Sequence, residues 1–293
     1  MIEHFTHGVL TPVIAYAVSV IGSFVGLMFA TRARRSRGAA RGTWLAFSAL
    51  CLGGTAVWSM HFIAMLGFHV PGTSIRYDTT LTIASGLLAV AAMGLAQYLT
   101  VVRSGTGWLL AGGAIAGAGI VGMHYMGMAS INMHGHLEHN PLFVGLAVVI
   151  ALVAATVALW FAQRIRGVPA ILLASLVMGV AVSSMHYTGM FGMHVTVNDD
   201  PLRGPVPGST APELLLPLVV GLFVFLLVCS LLLMLGVDDT APRRRSGSDG
   251  QDGERASDPA SPGNETGRYT GRHSTGSAWD RPARDRGASP ERR

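Results

Sequence analysis

The 293-residue chain contains no lysine, only two cysteines, and charged side chains at just 13% of its positions. So little charge beside 50% hydrophobic residues, with a mean hydropathy of +0.46, excludes an ordinary soluble domain. Two cysteines cannot staple a secreted scaffold. Cys51 and Cys229 also lie inside apolar runs, at neither zinc nor thioredoxin spacing, and read as small packing residues. The net charge of +5 and pI of 9.8 rest entirely on arginines in short loops and a terminal tail, which argues against a nucleic-acid partner.

The charge that exists is unevenly placed. Residues 1–237 hold 10 of the 21 basic residues and 6 of the 16 acidic ones, and residues 238–293 hold the rest. The second segment is rich in Gly, Ser, Pro, Arg and Asp and cannot bury enough apolar surface to offset chain entropy. It is expected to be a disordered cytoplasmic tail, with a docking or phosphorylation role at most. The first segment has seven apolar stretches of spanning length, at about 9–30, 43–68, 79–102, 108–133, 142–162, 168–194 and 213–236. This predicts an all-α integral membrane protein, a seven-transmembrane helix bundle in a lipid bilayer. The first stretch follows Glu3, His4 and His7 rather than a basic region, unlike a cleaved leader.

Orientation follows from the arginines. Arg32, Arg34, Arg35, Arg37 and Arg41, then Arg103, Arg164 and Arg166, and finally Arg243, Arg244 and Arg245 all fall on one side of a seven-span chain. The other side holds Arg76 and Arg203 with every acid before the tail. The positive-inside rule then puts the N-terminus outside and the C-terminus in the cytoplasm. The five arginines of the first loop offer a contact surface for a cytoplasmic partner or for anionic lipid heads.

One pattern recurs three times. Residues 59–65 read Ser-Met-His-Phe-Ile-Ala-Met, residues 122–128 Gly-Met-His-Tyr-Met-Gly-Met, and residues 184–190 Ser-Met-His-Tyr-Thr-Gly-Met. Each copy falls in the outer half of an even-numbered span. The architecture is therefore one helix followed by three repeated helix pairs. Positions i and i+4 share a helix face, so His61 pairs with Met65, His124 with Met128 and His186 with Met190. Met60, Met123 and Met185 sit about 100° away. Intramembrane histidines are expensive and need partners, so the three motifs are expected to converge.

Thioethers suit Cu(I), and imidazole suits copper among other metals. No carboxylate or thiolate is near these histidines in sequence, which disfavours magnesium, calcium, structural zinc and iron–sulfur clusters. Copper is the best match by elimination, with Met60, His61, Met65, Met123, His124, Met128, Met185, His186 and Met190 as candidate metal ligands. His69, His134, His136, Met193 and His194, near the outer boundary, are secondary candidates for capturing metal. His139 clusters with His134 and His136, and His4 and His7 lie on the same side. Gly127 and Gly189 allow close helix contact or leave room for a small ligand. Phe62, Tyr125 and Tyr187 read as packing residues.

The thrice-repeated theme, literal at Met185-His186-Tyr187-Thr188 and degenerate at Met60-His61-Phe62-Ile63 and Met123-His124-Tyr125-Met126, resembles the MHYT domain of bacterial membrane sensor proteins. The resemblance covers about residues 8–236. It implies a multi-pass sensor of the bacterial plasma membrane that binds copper through the motif residues near the extracytoplasmic face and detects a diatomic gas such as oxygen, carbon monoxide or nitric oxide. Signalling members often carry a cytoplasmic cyclase or phosphodiesterase domain. Residues 238–293 are too few and too polar for one, so a standalone sensor without its own catalysis is expected, its signal passing to a separate partner through loops or tail.

Two other readings remain open at this level. A copper transport or delivery protein would continue the ligand path inward, but the inner half offers only Met28, Met93, Met178 and Met234. A haem or copper electron carrier would use histidines on facing helices. No nucleophile–base pair or paired carboxylate falls within the spans, which argues against hydrolysis.

Overall fold

The computed structural model describes residues 9–71, 73–197 and 204–235. The expected tail, 238–293, lies outside the described residues, as do Glu3, His4, His7, Asp199, Asp200 and Arg203. Seven helices are long and apolar enough to cross a membrane: α1 (Leu10–Arg35), α2 (Gly38–Met65), α3 (Thr79–Val102), α4 (Thr106–Ala129), α5 (Pro141–Arg164), α6 (Val168–Phe191) and α7 (Ala211–Leu235). The shortest has 24 residues, about 36 Å at 1.5 Å per residue, against a hydrocarbon core of about 30 Å. The chain is a seven-helix membrane bundle, and its connections alternate between a motif end and an arginine end.

Local sequence explains where the helices begin. At the motif end, Asp78 caps α3 by accepting from the Leu81 N–H, and Asn140 caps α5 by accepting from the Leu142 N–H, each at 2.9 Å. Thr210 and Glu213 form a reciprocal capping box on α7. At the arginine end the even helices are entered through Gly38, Gly105 and Gly167, all with positive φ, so the repeat includes its turn. Arg32 donates to the Leu232 and Leu233 carbonyls and Arg34 to the Ile165 carbonyl, at 3.2, 2.9 and 2.7 Å. These side chains close the carbonyl-rich ends of α7 and α5.

Helices α1 to α6 close a ring in which each packs on its sequence neighbours and α6 returns to α1, while α7 lies outside against α1 and α2. The even helices alternate around this ring, and their motif-end turns meet. Within α2, Leu50–Ser59 is π-helical, and the Ser59 hydroxyl donates to the Gly54 carbonyl at 2.9 Å. Such wide turns often sit at functional sites, and this one ends one residue before Met60. A Cβ on Gly53 would come within 2.8 Å of the Ala89 carbonyl oxygen, so α2 and α3 meet backbone to backbone there.

The structure trims three expected spans at the motif end. The stretches 43–68, 108–133 and 168–194 stop being helical at Met65, Ala129 and Phe191. The apolar residues beyond them serve a small lid instead. Strand β1 (Arg76–Tyr77) pairs antiparallel with β2 (Ile131–Asn132), and β3 (Gly135–His139) with β4 (Met193–Val197). Tyr77 also bridges to Ser209. The lid buries Phe68, Val70, Tyr77, Ile131 and Met193 in one cluster with Phe62, Met65, Met128 and Met190. Hydropathy alone cannot separate a strand that roofs a bundle from the last turn of a helix.

Cys51 and Cys229, read as small packing residues, are both fully buried and share one cluster with Val25, Phe29 and Leu226, joining α2 to α7.

Candidate metal centre

The last turns of α2, α4 and α6 carry His61, His124 and His186, each about 1% exposed. Their rings meet edge to face, with centroids 4.9 to 5.3 Å apart. The Nδ1 atoms point inward. His61 Nδ1 is 3.0 Å from His186 Nδ1 and 3.2 Å from His124 Nδ1. Among the described residues, this is the one group of three or more His, Cys, Asp or Glu side chains whose ligand atoms come this close.

An imidazole nitrogen offers either one proton or one lone pair. His61 Nδ1 faces two other Nδ1 atoms, so hydrogen bonding among neutral rings satisfies only one of these contacts well. His61 Nε2, on the far edge, is buried without a hydrogen-bond partner. Three nitrogens each about 2.0–2.1 Å from a common ion stand about 3.3–3.6 Å apart, slightly more than the two distances from His61 Nδ1, while the three ligand atoms together span up to 4.8 Å. The donor set therefore fits an imidazole-ligated metal ion once the His61 ring moves slightly outward and the other two rings turn toward a common centre.

The motif methionines form two layers around the triad. Met60, Met123 and Met185 are buried in the main bundle core on the arginine-end side. Met65, Met128 and Met190 are buried in the cluster beneath the lid. All six lie on helix faces turned into the protein, as the i, i+4 spacing required.

The motif glycines have a specific use. A Cβ on Gly127 would lie 2.5 Å from His61 Nε2, and one on Gly189 would lie 2.5 Å from His124 Nε2. Each glycine thus receives the imidazole edge of the preceding repeat. Of the two uses expected for these glycines, close approach is the one seen, and a histidine rather than a ligand fills the space.

The secondary candidates lie apart from the triad. His69, His136 and His194 are exposed, and His134 is half-buried with its backbone N–H donating to the Thr73 hydroxyl. Met193 is buried, facing inward from β4 opposite His139. His139 is the residue undervalued by sequence reasoning. Its ring stacks edge-on against Tyr125, which stacks against His124 in turn. Burial pushes the His139 imidazole below its ordinary range, favouring the neutral form, and raises the Tyr77 hydroxyl. The available signal was period-2 alternation in 135–139, which separates inward His139 from outward His136.

On the arginine-end side of the triad is a small cavity of about 20 Å³, lined by Leu52, Ala56, Val57, Ile120, Met178 and Val182 among others. Its walls are almost wholly apolar.

Residues 54–114 and 117–175 match a family model described as a bacterial signalling protein N-terminal repeat, MHYT. The chain is 40% identical over 184 residues to MucR of Pseudomonas aeruginosa, named a bifunctional diguanylate cyclase/cyclic di-GMP phosphodiesterase, covering 59% of this chain and 26% of that protein. It is 33% identical over 204 residues to NbdA of the same organism, named a cyclic di-GMP phosphodiesterase, covering 67% and 26%. A signalling protein of Caulobacter vibrioides is 30% identical over 204 residues, covering 68% and 25%. The chain thus spans about a quarter of the length of the relatives it matches. No solved structure matches significantly. Two consecutive repeat matches, the third motif copy on α6 and the segment shared with signalling relatives make this chain a member of the MHYT family.

Proposed function

We propose that the bundle is a membrane signalling sensor that holds one copper ion on His61, His124 and His186 and reports its redox state or a diatomic ligand such as oxygen, carbon monoxide or nitric oxide. The observation that carries this reading is the convergence of three buried Nδ1 atoms, two of them 3.0 and 3.2 Å from the third. When bound, copper supplies a soft, redox-active centre able to take a small ligand. The chain's own residues do the rest. The histidines fix the donor set, the two methionine layers keep the site apolar and offer thioethers, and the lid keeps bulk water out. A change at the site biases the packing of α2, α4 and α6, and the arginine-end loops pass it to a cytoplasmic signalling partner. The cyclic di-GMP chemistry in the names of MucR and NbdA makes a cyclic-dinucleotide pathway the natural recipient. The motif end faces out of the bacterial cell and the arginine end the cytoplasm.

This reading makes the bundle an input rather than a catalyst or a carrier. Delivery across the membrane needs a path that continues through the bundle, and the space on the arginine-end side of the triad is only about 20 Å³. Haem needs a gap between its axial imidazoles wide enough for a porphyrin, and rings whose nitrogens lie 3.0 Å apart leave none.

The test is metal content by mass spectrometry on the detergent-purified chain, beside a His61→Ala/His124→Ala/His186→Ala triple variant whose helicity is checked by circular dichroism. About one copper per chain, lost in a folded triple variant, is expected from a single three-histidine site. No copper after reconstitution with Cu(I) rejects the reading.

A further inference from the structure

At the arginine end, α1, α5 and the α5–α6 connection enclose a polar cavity of about 170 Å³ lined by Thr31, Arg34, Arg35, Gln163 and Arg166. Three guanidinium groups share one space. The acids among the described residues, Asp78, Glu138 and Glu213, all belong to the motif end, so no described carboxylate neutralises this cluster. Arg34 is held in place: its Nη2 donates to the Ile165 carbonyl at 2.7 Å and to the Thr31 hydroxyl at 3.2 Å. Thr31 is itself anchored to the Leu27 carbonyl at 2.9 Å. Both Arg34 bonds use the same nitrogen and fix the fork at the cavity wall.

Orientation signals alone do not need this arrangement. Loop arginines that only set topology can splay into solvent, whereas concentrating like charges in one recess costs repulsion that an anion would relieve. Arginine forks suit phosphate oxygens. Basic recesses between spanning helices, at the level where lipid headgroups lie, are the usual form of a headgroup site.

We propose that this recess binds a phosphate-bearing anion, with Arg34, Arg35 and Arg166 as its ligands and either an anionic lipid headgroup or a free phosphate as its source. The site is separate from the histidine triad and does not depend on a metal there.

The experiment is native mass spectrometry of the delipidated full-length chain titrated with phosphatidylglycerol, with diacylglycerol of the same acyl chains, and with inorganic phosphate. The variants are Arg35→Gln and Arg166→Gln, both exposed side chains, with Arg37→Gln as a same-side control outside the cavity. Saturable binding of phosphatidylglycerol or phosphate, weakened about tenfold in the two cavity variants and unchanged in the control, is expected for loss of one charge-assisted contact. Binding of lipid but not of inorganic phosphate makes the source a headgroup. Binding of inorganic phosphate that displaces the lipid makes it a free anion. Equal retention of diacylglycerol, equal weakening by Arg37→Gln, or no saturable binding of either phosphate compound overturns the proposal.

Discussion

His61 is the hinge of the site, because its Nδ1 contacts both other Nδ1 atoms while its Nε2 edge lies against Gly127. A methyl group at Gly127 or Gly189 would meet an imidazole already held by two others, so the ring must leave the triad to make room. Gly127→Ala and Gly189→Ala are therefore expected to lower copper retention at least about tenfold, at an overpacking cost of about 1–3 kcal/mol. Gly94→Ala is the control, since its added Cβ would make only ordinary contact, 3.4 Å from Ala49 Cβ. Copper stoichiometry and thermal melting of the three variants check this. Retention unchanged in Gly127→Ala would mean that the rings are not clamped. At this scale the histidines and methionines were legible in the sequence because a repeat singles them out from chance. What the glycines do was not, because which repeat's ring fills which notch depends on the order of helices around the bundle, and one sequence does not contain that order.

At the scale of elements, α7 is the loosely attached helix, lying outside the ring. Three devices tie it on: Arg32 on its last carbonyls, the Thr210–Glu213 cap with the neighbouring Tyr77–Ser209 bridge, and the cluster that holds Cys51 and Cys229. Removing the Arg32 guanidinium loses two charge-assisted bonds and its stacking over Trp44, so Arg32→Ala is expected to destabilise the bundle by about 1–3 kcal/mol, read as a lower melting temperature in detergent. The cysteine cluster gives a second measurement. Oxidation of both thiols by a membrane-soluble oxidant, which takes up the two electrons and two protons released, should give an intramolecular 51–229 disulfide found by peptide mapping. Recovery of both cysteines in the alkylated form would place α7 elsewhere. The seven helices were legible from apolar runs of spanning length. The lid strands and the cysteine cluster were not, since one depends on short apolar segments that hydropathy merges with the helices and the other joins residues far apart in sequence.

For the whole molecule, the two ends are chemically opposite, and this polarity decides what the bundle can sense and where it can report. The motif end carries the lid, with His136 and His194 exposed on it, and all three described acids. The arginine end carries Arg34, Arg35 and Arg166 around one recess. If the arginine end faces the cytoplasm, a cysteine placed at the lid should react with a membrane-impermeant maleimide added to intact spheroplasts, and one at the opposite end should not. His136→Cys is expected to be labelled from outside, and Arg37→Cys only after the membrane is opened. The native thiols add little background because both are buried. The reverse pattern would turn the bundle over. The triad would then lie toward the cytoplasm, the arginine recess would meet the outer leaflet, and a report to a cytoplasmic partner through the arginine-end loops would be untenable whatever metal the histidines hold. Labelling of both positions from one side would contradict an odd number of spans between a lid and an arginine end. The orientation experiment therefore governs the copper reading and the anion recess together, and it requires neither ligand to be known.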